Sequence, residues 1–445
     1  MSPNQKIVTR FAPSPTGLLH GGNYRTAVFA YLFAKKMGGE FIVRIEDTDR
    51  ERSKPEFEAN IWETIEWLGL SPDKKYRQSE HVARHTELLK KLIEEGKAYV
   101  SKEETKKPGD RAEVIRFKNP GTAVTFVDAI RGSITTDTTD LGDFVIARSE
   151  TEPVFHFAVV VDDADAGVTH IVRGEDHIPN TPRQILIAQA LGFAVPTYAH
   201  LPLVLGSDRT KLSKRRGAKA LTDYKAEGYL PSALINYLAL VGWHPEGEQE
   251  VFTVDELTKE FSLERIQKSA GIFDDIKLKW FNHEHLKLLS DADFEKGLND
   301  FFASKSVRTP AYLHAIMPQL RERYATYGEA CEAILAGEYA FLDDAPLIIS
   351  SELLLKGAKA EASVVAGHLA HVIELLQNFS GEFTTEGVKE VIFPYATEVG
   401  RGAVLWPMRV SLSGKEKSPD PFTLCGLLGK ETTLARLQAA RTVLQ

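Results

Sequence analysis

Residues 6–45 read KIVTRFAPSPTGLLHGGNYRTAVFAYLFAKKMGGEFIVRI, and this segment sets the fold class of the chain. A short β-rich run leads into a turn of two prolines and a glycine, and an apolar stripe at helical spacing follows. The predicted elements are a strand at 6–11, a turn at 12–17, a helix that stops at Gly38–Gly39, a strand at 40–45 and a helix at 56–68. This alternation is typical of a parallel sheet with helices packed on it.

The rest of the first half continues the α/β pattern but is interrupted once. Residues 99–150 hold short strand-like runs broken by Gly, Pro and Asp, which indicate antiparallel strands inserted into the α/β frame. The frame resumes with predicted strands at 153–163, 169–176 and 199–206 and a helix at 181–192. Beyond about residue 225 the patterns are mostly helical. The sequence therefore predicts an α/β fold: a doubly wound parallel sheet, split by an α+β insertion and followed by an all-helical region.

Composition limits what this chain can be. It has 445 residues, of which 43% are hydrophobic and 26% charged, as in an ordinary globular protein of about two to four domains. Its only cysteines, Cys331 and Cys425, lie far apart, which excludes a Cys-rich zinc module and argues against a disulfide framework. The sequence shows no secretory signal and no apolar run long enough to span a membrane, so we expect a cytoplasmic protein. The net charge of −8 argues by itself against a nucleic-acid partner, although local charge matters more than the sum.

Two motifs carry groups suited to binding phosphate. His20-Gly21-Gly22-Asn23 lies where the first predicted strand leads into the first helix, and helix N-termini bind phosphate through their N–H groups. The basic loop Lys211-Leu212-Ser213-Lys214-Arg215-Arg216-Gly217 follows a predicted strand and is suited to clamping a polyphosphate. Taken alone, the first motif is better explained as a tight structural turn, and the second is equally compatible with a solvated basic loop.

Two further motifs place mixed charges at predicted strand ends, where open α/β sheets bind their ligands. They are Arg44-Ile45-Glu46-Asp47-Thr48-Asp49-Arg50 and Arg173-Gly174-Glu175-Asp176-His177. For the first of them, surface salt bridges and an Asp at a helix start are the structural alternative.

The four motifs, in this order, resemble those of a known family. His20-Gly-Gly-Asn after APSPTG, with Lys-Leu-Ser-Lys-Arg later in the chain, resembles the HIGH and KMSKS signatures of class I aminoacyl-tRNA synthetases. The wider sequence is similar to bacterial-type glutamyl-tRNA synthetases from Arg10 to about Asn282, and more thinly in the tail. Examples are RFAPSPTGLLHGGN, FIVRIEDTDRERS, THIVRGEDH, NTPRQILI and FDDIKLKWFN. The resemblance implies a Rossmann-like catalytic domain and a helical anticodon-binding region.

The resemblance also implies a two-step reaction. Glutamate attacks the α-phosphate of ATP to give glutamyl-adenylate and pyrophosphate, and the 3′-terminal ribose of tRNA(Glu) then takes the glutamyl group and releases AMP. Such transfers depend on positioning and on stabilising charge at phosphate oxygens, so no protein nucleophile is needed. Mg²⁺ is expected to bridge phosphate oxygens, and no protein residue is assigned as a metal ligand.

Matching the family motifs to this chain gives the expected site residues. The expected catalytic residues are His20, Lys211 and Lys214. ATP is expected to contact His20, Gly22, Asn23, Asp176, Lys211 and Lys214. Glutamate is expected to contact Arg10, Ser14, Glu46, Phe155 and Arg173. Arginine matches carboxylates with two parallel hydrogen bonds, and Glu46 matches the position that takes the α-ammonium group.

The chain departs from the family pattern at three places. Gly21 replaces the usual Ile or Val of the first signature, which predicts a more flexible turn. Phe155 replaces the usual Tyr, which removes a hydroxyl group from the expected glutamate site. The C-x-C zinc motif of many relatives is missing after residue 99, so no structural zinc is expected. His81 and His85, four residues apart on a predicted helix, are expected on a solvated face.

The resemblance also divides the chain into domains. We expect the first half of the catalytic domain at 1–80, an acceptor-end-binding insertion at 81–153, the second half of the catalytic domain with the KLSKR loop at 154–220, a helical stem-contact domain at 221–295 and a helical anticodon-binding region at 296–445. Residues 401–445 carry seven basic and three acidic side chains, a surplus that suits phosphate contact. Trp406 and Arg409 are candidates for contacts with RNA bases.

Other assignments stay open at this point. A non-discriminating enzyme would also charge tRNA(Gln), and an inactive RNA-binding homologue would keep the fold without the chemistry. A truncated paralogue that glutamylates a modified base would lack residues 300–445, and a nucleotidyltransferase that makes a dinucleotide cofactor has no need of a helical RNA-binding tail. The expected partners are tRNA(Glu), ATP and L-glutamate, with no membrane, and relatives suggest a monomer.

Overall fold

The computed structural model describes residues 6–104, 112–212, 217–343 and 347–445. Its strands are β1 (Val8–Phe11), β2 (Glu40–Ile45), β3 (Lys74–Arg77), β4 (Ala98–Lys102), β5 (Glu113–Phe117), β6 (Ala123–Asp128), β7 (Gly132–Asp137), β8 (Phe144–Ser149), β9 (Glu152–Pro153), β10 (His170–Gly174), β11 (Thr197–Leu201), β12 (Val204–Leu205) and β13 (Gly271–Ile272).

The chain separates into two compact units, Met1–Leu286 and Lys287–Gln445. The helices of the first unit are α1 (Gly21–Lys36), α2 (Pro55–Trp67), α3 (Val82–Glu94), α4 (Phe155–Asp165), α5 (Thr181–Leu191), α6 (Leu221–Ala226), α7 (Pro231–Leu240), α8 (Val254–Glu260) and α9 (Asp275–Leu288), which ends just past the division. Those of the second are α10 (Asp291–Ser304), α11 (Leu313–Arg323), α12 (Tyr327–Leu335), α13 (Ser351–Lys356), α14 (Ala362–Asn378), α15 (Thr385–Val399), α16 (Arg401–Ser413) and α17 (Pro421–Val443).

A seven-stranded sheet organises the first unit, in the order β3-β2-β1-β10-β11-β6-β7. Neighbouring strands from β3 to β6 pair in parallel, and β7 pairs antiparallel with β6. Strand β2 is buried from Phe41 to Ile45, as expected for a parallel strand whose two faces are both covered. Helix α1 buries Tyr24, Val28 and Leu32 in the core beside it. The predicted doubly wound α/β core is therefore confirmed.

The antiparallel strands between the two halves of the sheet lie in two places. Strands β4, β5, β8 and β9 form a separate four-stranded antiparallel sheet. The hairpin of β6 and β7 instead joins the edge of the parallel sheet, where Tyr198 of β11 pairs with Asp128 of β6. One hairpin of the interrupting segment is thus continuous with the sheet that carries the site.

One predicted element of the first half is wrong. The segment 153–163 was expected as a strand, but helix α4 occupies residues Phe155–Asp165. Its sequence FHFAVVVDD is almost continuously apolar, and such a run does not distinguish a buried strand from a buried helix. Strand β3 is absent from the predicted set because its sequence, KKYR, is polar and lies on a sheet edge.

The second unit is built from helices α10–α17. Helix α14 buries Val365, Leu369, Val372 and Leu376, which follow the spacing of one helix face, and this helix packs against α16 and α17. The predicted all-helical C-terminal region is confirmed. Among the described residues, no helix is both long enough and apolar enough to cross a membrane.

Part of the basic surplus at 401–445 stabilises the helical unit itself. Three of the basic side chains donate to main-chain carbonyl oxygens: Lys415 to Gly337, Lys430 to Phe379 at 2.8 Å and Arg436 to Leu412 at 2.6 Å. The Trp406 indole donates to the Leu353 carbonyl at 2.8 Å, and the Arg409 guanidinium lies over its ring at 4.7 Å. A charge count alone therefore overstates the number of basic side chains available to contact RNA phosphates, and base contacts by Trp406 and Arg409 stay a prediction.

Candidate active site

A cavity of about 440 Å³ lies at the carboxyl ends of β1, β2 and β10, next to the start of α1. Ligands of open α/β sheets bind at this edge. The expected site residues that line the cavity are Arg10, Ser14, His20, Gly22, Asn23, Glu46, Phe155, Arg173, Asp176 and Lys211. Of the expected set only Lys214 is missing, and it lies outside the described residues. Residues far apart in sequence are therefore brought together around one cavity.

His20 occupies the N-cap position of α1. Its Nδ1 accepts a hydrogen bond from the Gly22 N–H at 3.1 Å, and the Asn23 side-chain oxygen accepts one from the His20 N–H at 3.1 Å. Because Nδ1 is an acceptor, the proton of the neutral imidazole belongs on Nε2. The histidine both caps the helix and carries a donor at the cavity beside the positive end of the helix dipole.

The Cα atom of Gly21 packs closely against the Phe273 ring. A Cβ atom placed there would lie 2.7 Å from Cε2 of Phe273, whose ring also packs at 5.1 Å from the Tyr237 ring. The aromatic ring therefore occupies the space that an Ile or Val side chain would need.

Gly21→Val is expected to destabilise the protein by about 1–3 kcal/mol, because an overpacked core must displace a buried ring. The loss should appear as a lower midpoint in thermal unfolding. Gly17→Ala is the matched control, since a Cβ at Gly17 meets nothing within 4 Å. A Gly21→Val protein that melts with the parent would show that Phe273 moves aside freely.

Lys211 forms an ion pair across the cavity. Its Nζ donates to Oδ2 of Asp176 at 2.9 Å, and both side chains are about half exposed. Burial opposes the charge of Asp176, but the hydrogen bond from Lys211 keeps the pKa of that carboxyl below its ordinary value. A phosphate group entering the cavity could exchange with the carboxylate as the partner of this lysine.

A buried cluster of charges lies beneath the cavity floor. Arg44 donates to Asp163 at 2.6 Å and to Glu46 at 2.9 Å, and Arg10 contacts Asp163 at 3.3 Å. Burial works against the charge of Arg44, but the carboxylates of Asp163 and Glu46 raise its pKa. Asp162 is a third carboxylate of this cluster, 3.8 Å from Arg44 Nε. Two arginines and three carboxylates thus share one desolvated cluster that presents Arg10 and Glu46 to the cavity.

Arg173 is held differently, by neutral groups. Its guanidinium donates to His200 Nε2 at 3.1 Å, to the Gln184 side-chain oxygen at 2.7 Å and to Thr181 Oγ1 at 2.8 Å. Burial lowers the pKa of Arg173 to about 10, so the group is still charged at neutral pH. Because these acceptors are uncharged, the buried guanidinium keeps its positive charge and is suited to binding a carboxylate ligand.

Phe155 lies between two histidine rings at the cavity wall. Its ring centroid is 5.5 Å from that of His156 and 5.7 Å from that of His177. Burial lowers the pKa of both histidines to about 4, with a further lowering by nearby arginines, so both rings are neutral at pH 7. Phe155 therefore presents to the cavity a ring without a hydroxyl group, flanked by two neutral imidazoles.

Sequence reasoning missed several buried groups around the site and misplaced one. Arg44 and His177 lie inside motifs that the sequence singled out, so residue type within those motifs was the available signal, whereas Asp163 ends the apolar run 153–163 and carried no such signal. His85 was expected on a solvated face, and this is wrong: the ring is fully buried, with Nε2 2.7 Å from Oδ1 of Asp162. The spacing of four residues indicates that His85 and His81 share a helix face, but it does not indicate whether that face is buried. His81 itself is half-buried and packs on the Tyr76 ring.

The chain matches two protein families in sequence. Residues 6–108 and 100–280 match tRNA synthetases class I (E and Q), catalytic domain, and residues 292–441 match the anticodon binding domain. It is 40% identical to glutamate–tRNA ligase of Oleidesulfovibrio alaskensis, over 98% of this chain and 99% of the relative. It is 38% identical to glutamate–tRNA ligase 1 of Syntrophus aciditrophicus, over 99% and 97%.

Solved structures with the same fold carry related names. A glutamate tRNA ligase from Elizabethkingia meningosepticum, solved in complex with its amino acid, superimposes with a TM-score of 0.83 at 31% identity, over 99% of this chain and 100% of that one. The glutamate-tRNA synthetase of Elizabethkingia anophelis gives 0.80 at 31% identity, over 98% and 100%. With its fold, its cavity and both parts of its sequence in agreement, this chain belongs to the class I tRNA synthetases, and within them to the glutamyl-tRNA synthetase family.

Proposed function

We propose that this chain is a glutamate–tRNA ligase, which activates L-glutamate with ATP and transfers it to the 3′-terminal ribose of tRNA(Glu). One observation carries the proposal. A single cavity combines a histidine-capped helix start, suited to phosphate, with the buried guanidinium groups of Arg10 and Arg173 and the carboxylate of Glu46, suited to an amino acid with two carboxylates. Membership in the family supplies the reaction.

The side chains of the cavity divide between the two substrates in this proposal. His20, with Lys211 and Lys214, stabilises charge on the phosphates of ATP as pyrophosphate leaves, while Gly22, Asn23 and Asp176 complete the nucleotide contacts. Arg10 and Arg173 bind the carboxylates of glutamate, Glu46 takes its ammonium group, and Ser14 and Phe155 line the same pocket. Each of these groups binds, orients or stabilises charge, and none acts as a nucleophile.

Metal ions enter the proposal only with the nucleotide. Mg²⁺ is proposed to accompany ATP, since it keeps water and substrate phosphates as its main ligands in such sites. Among the described residues, no group of three or more His, Cys, Asp or Glu side chains is arranged to hold a metal. We also propose that the chain has no structural zinc: residues 98–102 form a strand without cysteine, and both cysteines are buried in the helical unit.

Different parts of the chain are proposed to contact different parts of the tRNA. We propose that the insertion 81–153 binds the acceptor end, between the catalytic halves 1–80 and 154–220. We further propose that 221–295 contacts the stem and that 296–445 reads the anticodon. A cytoplasmic monomer is proposed, by analogy with the family.

The proposed function is tested by ATP–pyrophosphate exchange and by aminoacylation. We expect exchange that depends on glutamate and tRNA(Glu), followed by formation of glutamyl-tRNA. Assays with tRNA(Glu) and tRNA(Gln) side by side separate a discriminating from a non-discriminating enzyme. A complete lack of exchange and charging with both RNAs would identify an inactive RNA-binding homologue instead.

The role of His20 can be separated from its capping of α1. His20→Ala is expected to lower kcat for glutamate activation by about 10²–10³, the usual effect of removing one donor to developing charge. It should also cost about 1 kcal/mol of stability through the lost cap. His20→Asn is the matched variant, because asparagine caps well but cannot replace the imidazole. Recovery of both stability and rate in His20→Asn would leave His20 with a structural role only.

A further inference from the structure

Arg173 is supported from behind by two buried polar residues that have no role in the site described above. This residue lies on β10, and strand pairing places His200 of β11 directly beside it. The next strand of the sheet is β6, which ends at Asp128. Asp128, His200 and Arg173 are all buried, at 1%, 0% and 5% exposure, and they lie in a row across the sheet. Asp128 belongs to the β6–β7 hairpin, which is part of the segment that interrupts the α/β pattern and pairs with the edge of this sheet.

Hydrogen bonds define the state of the histidine in this row. Arg173 Nε–H donates to His200 Nε2 at 3.1 Å, so that nitrogen must carry a lone pair. His200 Nδ1 lies 2.7 Å from Asp128 Oδ2, so Nδ1 carries the proton and donates it to the carboxylate. The backbone N–H groups of Ile130 and Arg131 donate to the other carboxylate oxygen at 3.0 and 2.8 Å. Each donor faces an acceptor, and only one tautomer fits.

This arrangement orients Arg173 without neutralising it. Arg10 contacts a carboxylate directly, at 3.3 Å from Asp163, whereas the carboxylate of Asp128 reaches Arg173 only through a neutral imidazole. The guanidinium plane is therefore fixed, and its charge is retained for a ligand. A fixed fork binds a carboxylate better than a mobile one because less conformational entropy is lost on binding.

We propose that Asp128 and His200 are positioning residues for the glutamate pocket. They act through Arg173, whose orientation they set by fixing the histidine tautomer, and neither touches the substrate. This inference rests on the proposed function, in which Arg173 binds a carboxylate of glutamate. It also makes a residue of the hairpin β6–β7 part of the support of the amino-acid pocket.

Two variants test the row with little change in volume. His200→Phe keeps a ring beside Tyr198 and Phe126 but removes the acceptor for Arg173. Asp128→Asn can turn its amide toward Nδ1, which favours the tautomer with the proton on Nε2, facing the Arg173 N–H. Each is expected to raise the KM for glutamate about 10- to 100-fold, as for loss of a hydrogen bond to a charged group, with the KM for ATP within about twofold of the parent.

The measurement is ATP–pyrophosphate exchange with tRNA(Glu) on the full chain, with glutamate and ATP varied in turn. Glutamate affinity is also read from the shift of the thermal midpoint with ligand concentration, which does not require turnover. His200→Gln keeps an acceptor near the Nε2 position and should recover most of the glutamate affinity. His285→Gln is the matched control, since this buried histidine pairs with Ser232 and Asn236 away from the cavity and should leave both KM values unchanged.

The outcomes separate this proposal from the function on which it rests. A glutamate-specific rise in KM in His200→Phe and Asp128→Asn, with recovery in His200→Gln, supports the positioning role. Unchanged glutamate affinity in either of the first two variants, or equal loss of ATP and glutamate affinity, overturns it. If the parent protein itself shows no glutamate-dependent exchange, it is the proposed function that fails.

Discussion

Arg173→Gln is expected to lower kcat/KM for glutamate about 10²–10³-fold, because truncating one partner of a buried, hydrogen-bonded charge pair costs about 2–5 kcal/mol. The substrate carboxylate would enter a desolvated pocket and lose the cation that the structure holds there with His200, Gln184 and Thr181. Glutamine keeps polar atoms near these neighbours, so the fold should survive. The measurement is glutamate-dependent pyrophosphate exchange at varied glutamate concentration.

Arg173→Lys provides the comparison for this prediction. Lysine keeps the positive charge but not the planar fork, so its activity should lie between those of the parent and Arg173→Gln. The KM for ATP should change little in either variant. Near-parental kcat/KM for glutamate in Arg173→Gln would place the carboxylate contact elsewhere in the cavity.

Arg44→Met is expected to destabilise the first unit by about 3–5 kcal/mol at neutral pH, because buried Glu46 loses its hydrogen-bonded cation and buried Asp163 keeps only Arg10. Arg44 is 2% exposed and contacts Asp163 and Glu46 at 2.6 and 2.9 Å. The measurement is the midpoint of the thermal transition of the first unit. The exposed arginine Arg52, paired with Asp49 at the surface, gives the matched control Arg52→Met, which should melt close to the parent.

The pH dependence of Arg44→Met has a definite sign. In the parent, burial opposes the charge of Asp163, yet Arg10 and Arg44 hold its pKa below the ordinary value. The stability contributed by this lowered pKa is present above the pKa of the unfolded chain, about 4, and is lost as the pH falls through the pKa of the folded state. In Arg44→Met, Glu46, whose pKa burial already raises in the parent, loses its hydrogen-bonded cation, and Asp163 keeps only Arg10. These carboxylates then bind protons more readily in the folded state than they do in the parent, so the defect should shrink as the pH falls from 7 toward about 5. A defect of equal size across this range would exclude unpaired charge as its cause.

The two arginine predictions concern different consequences of burying charge. Arg44 is neutralised by carboxylates of the protein, and its removal damages the fold. Arg173 is surrounded by neutral acceptors, and its removal damages ligand binding. Both residues stand at the ends of strands in motifs that the sequence singled out, yet only their partners tell the two roles apart.

Much of the site could be predicted from the sequence because many of its residues lie in short motifs of consecutive residues. The turn before α1, the strand-end motifs and the basic loop each consist of consecutive residues, and parallel pairing of β2, β1 and β10 brings their ends to one edge. The residues expected around ATP and glutamate follow from the resemblance to the family, and those within the described part of the chain line one cavity. Their roles remain predictions for the experiments above.

The sequence by itself determined the α/β core, the helical C-terminal unit and the residue types available to the cavity, because hydrophobic periodicity and turn residues act over short windows. Tertiary structure decided that the apolar run at 155–165 is a helix, that His85 is buried against Asp162, and that Asp128 lies behind His200 and Arg173. These outcomes depend on strand pairing and packing between residues tens of positions apart. No local pattern specifies such partners, because their free energy arises only when the sheet assembles.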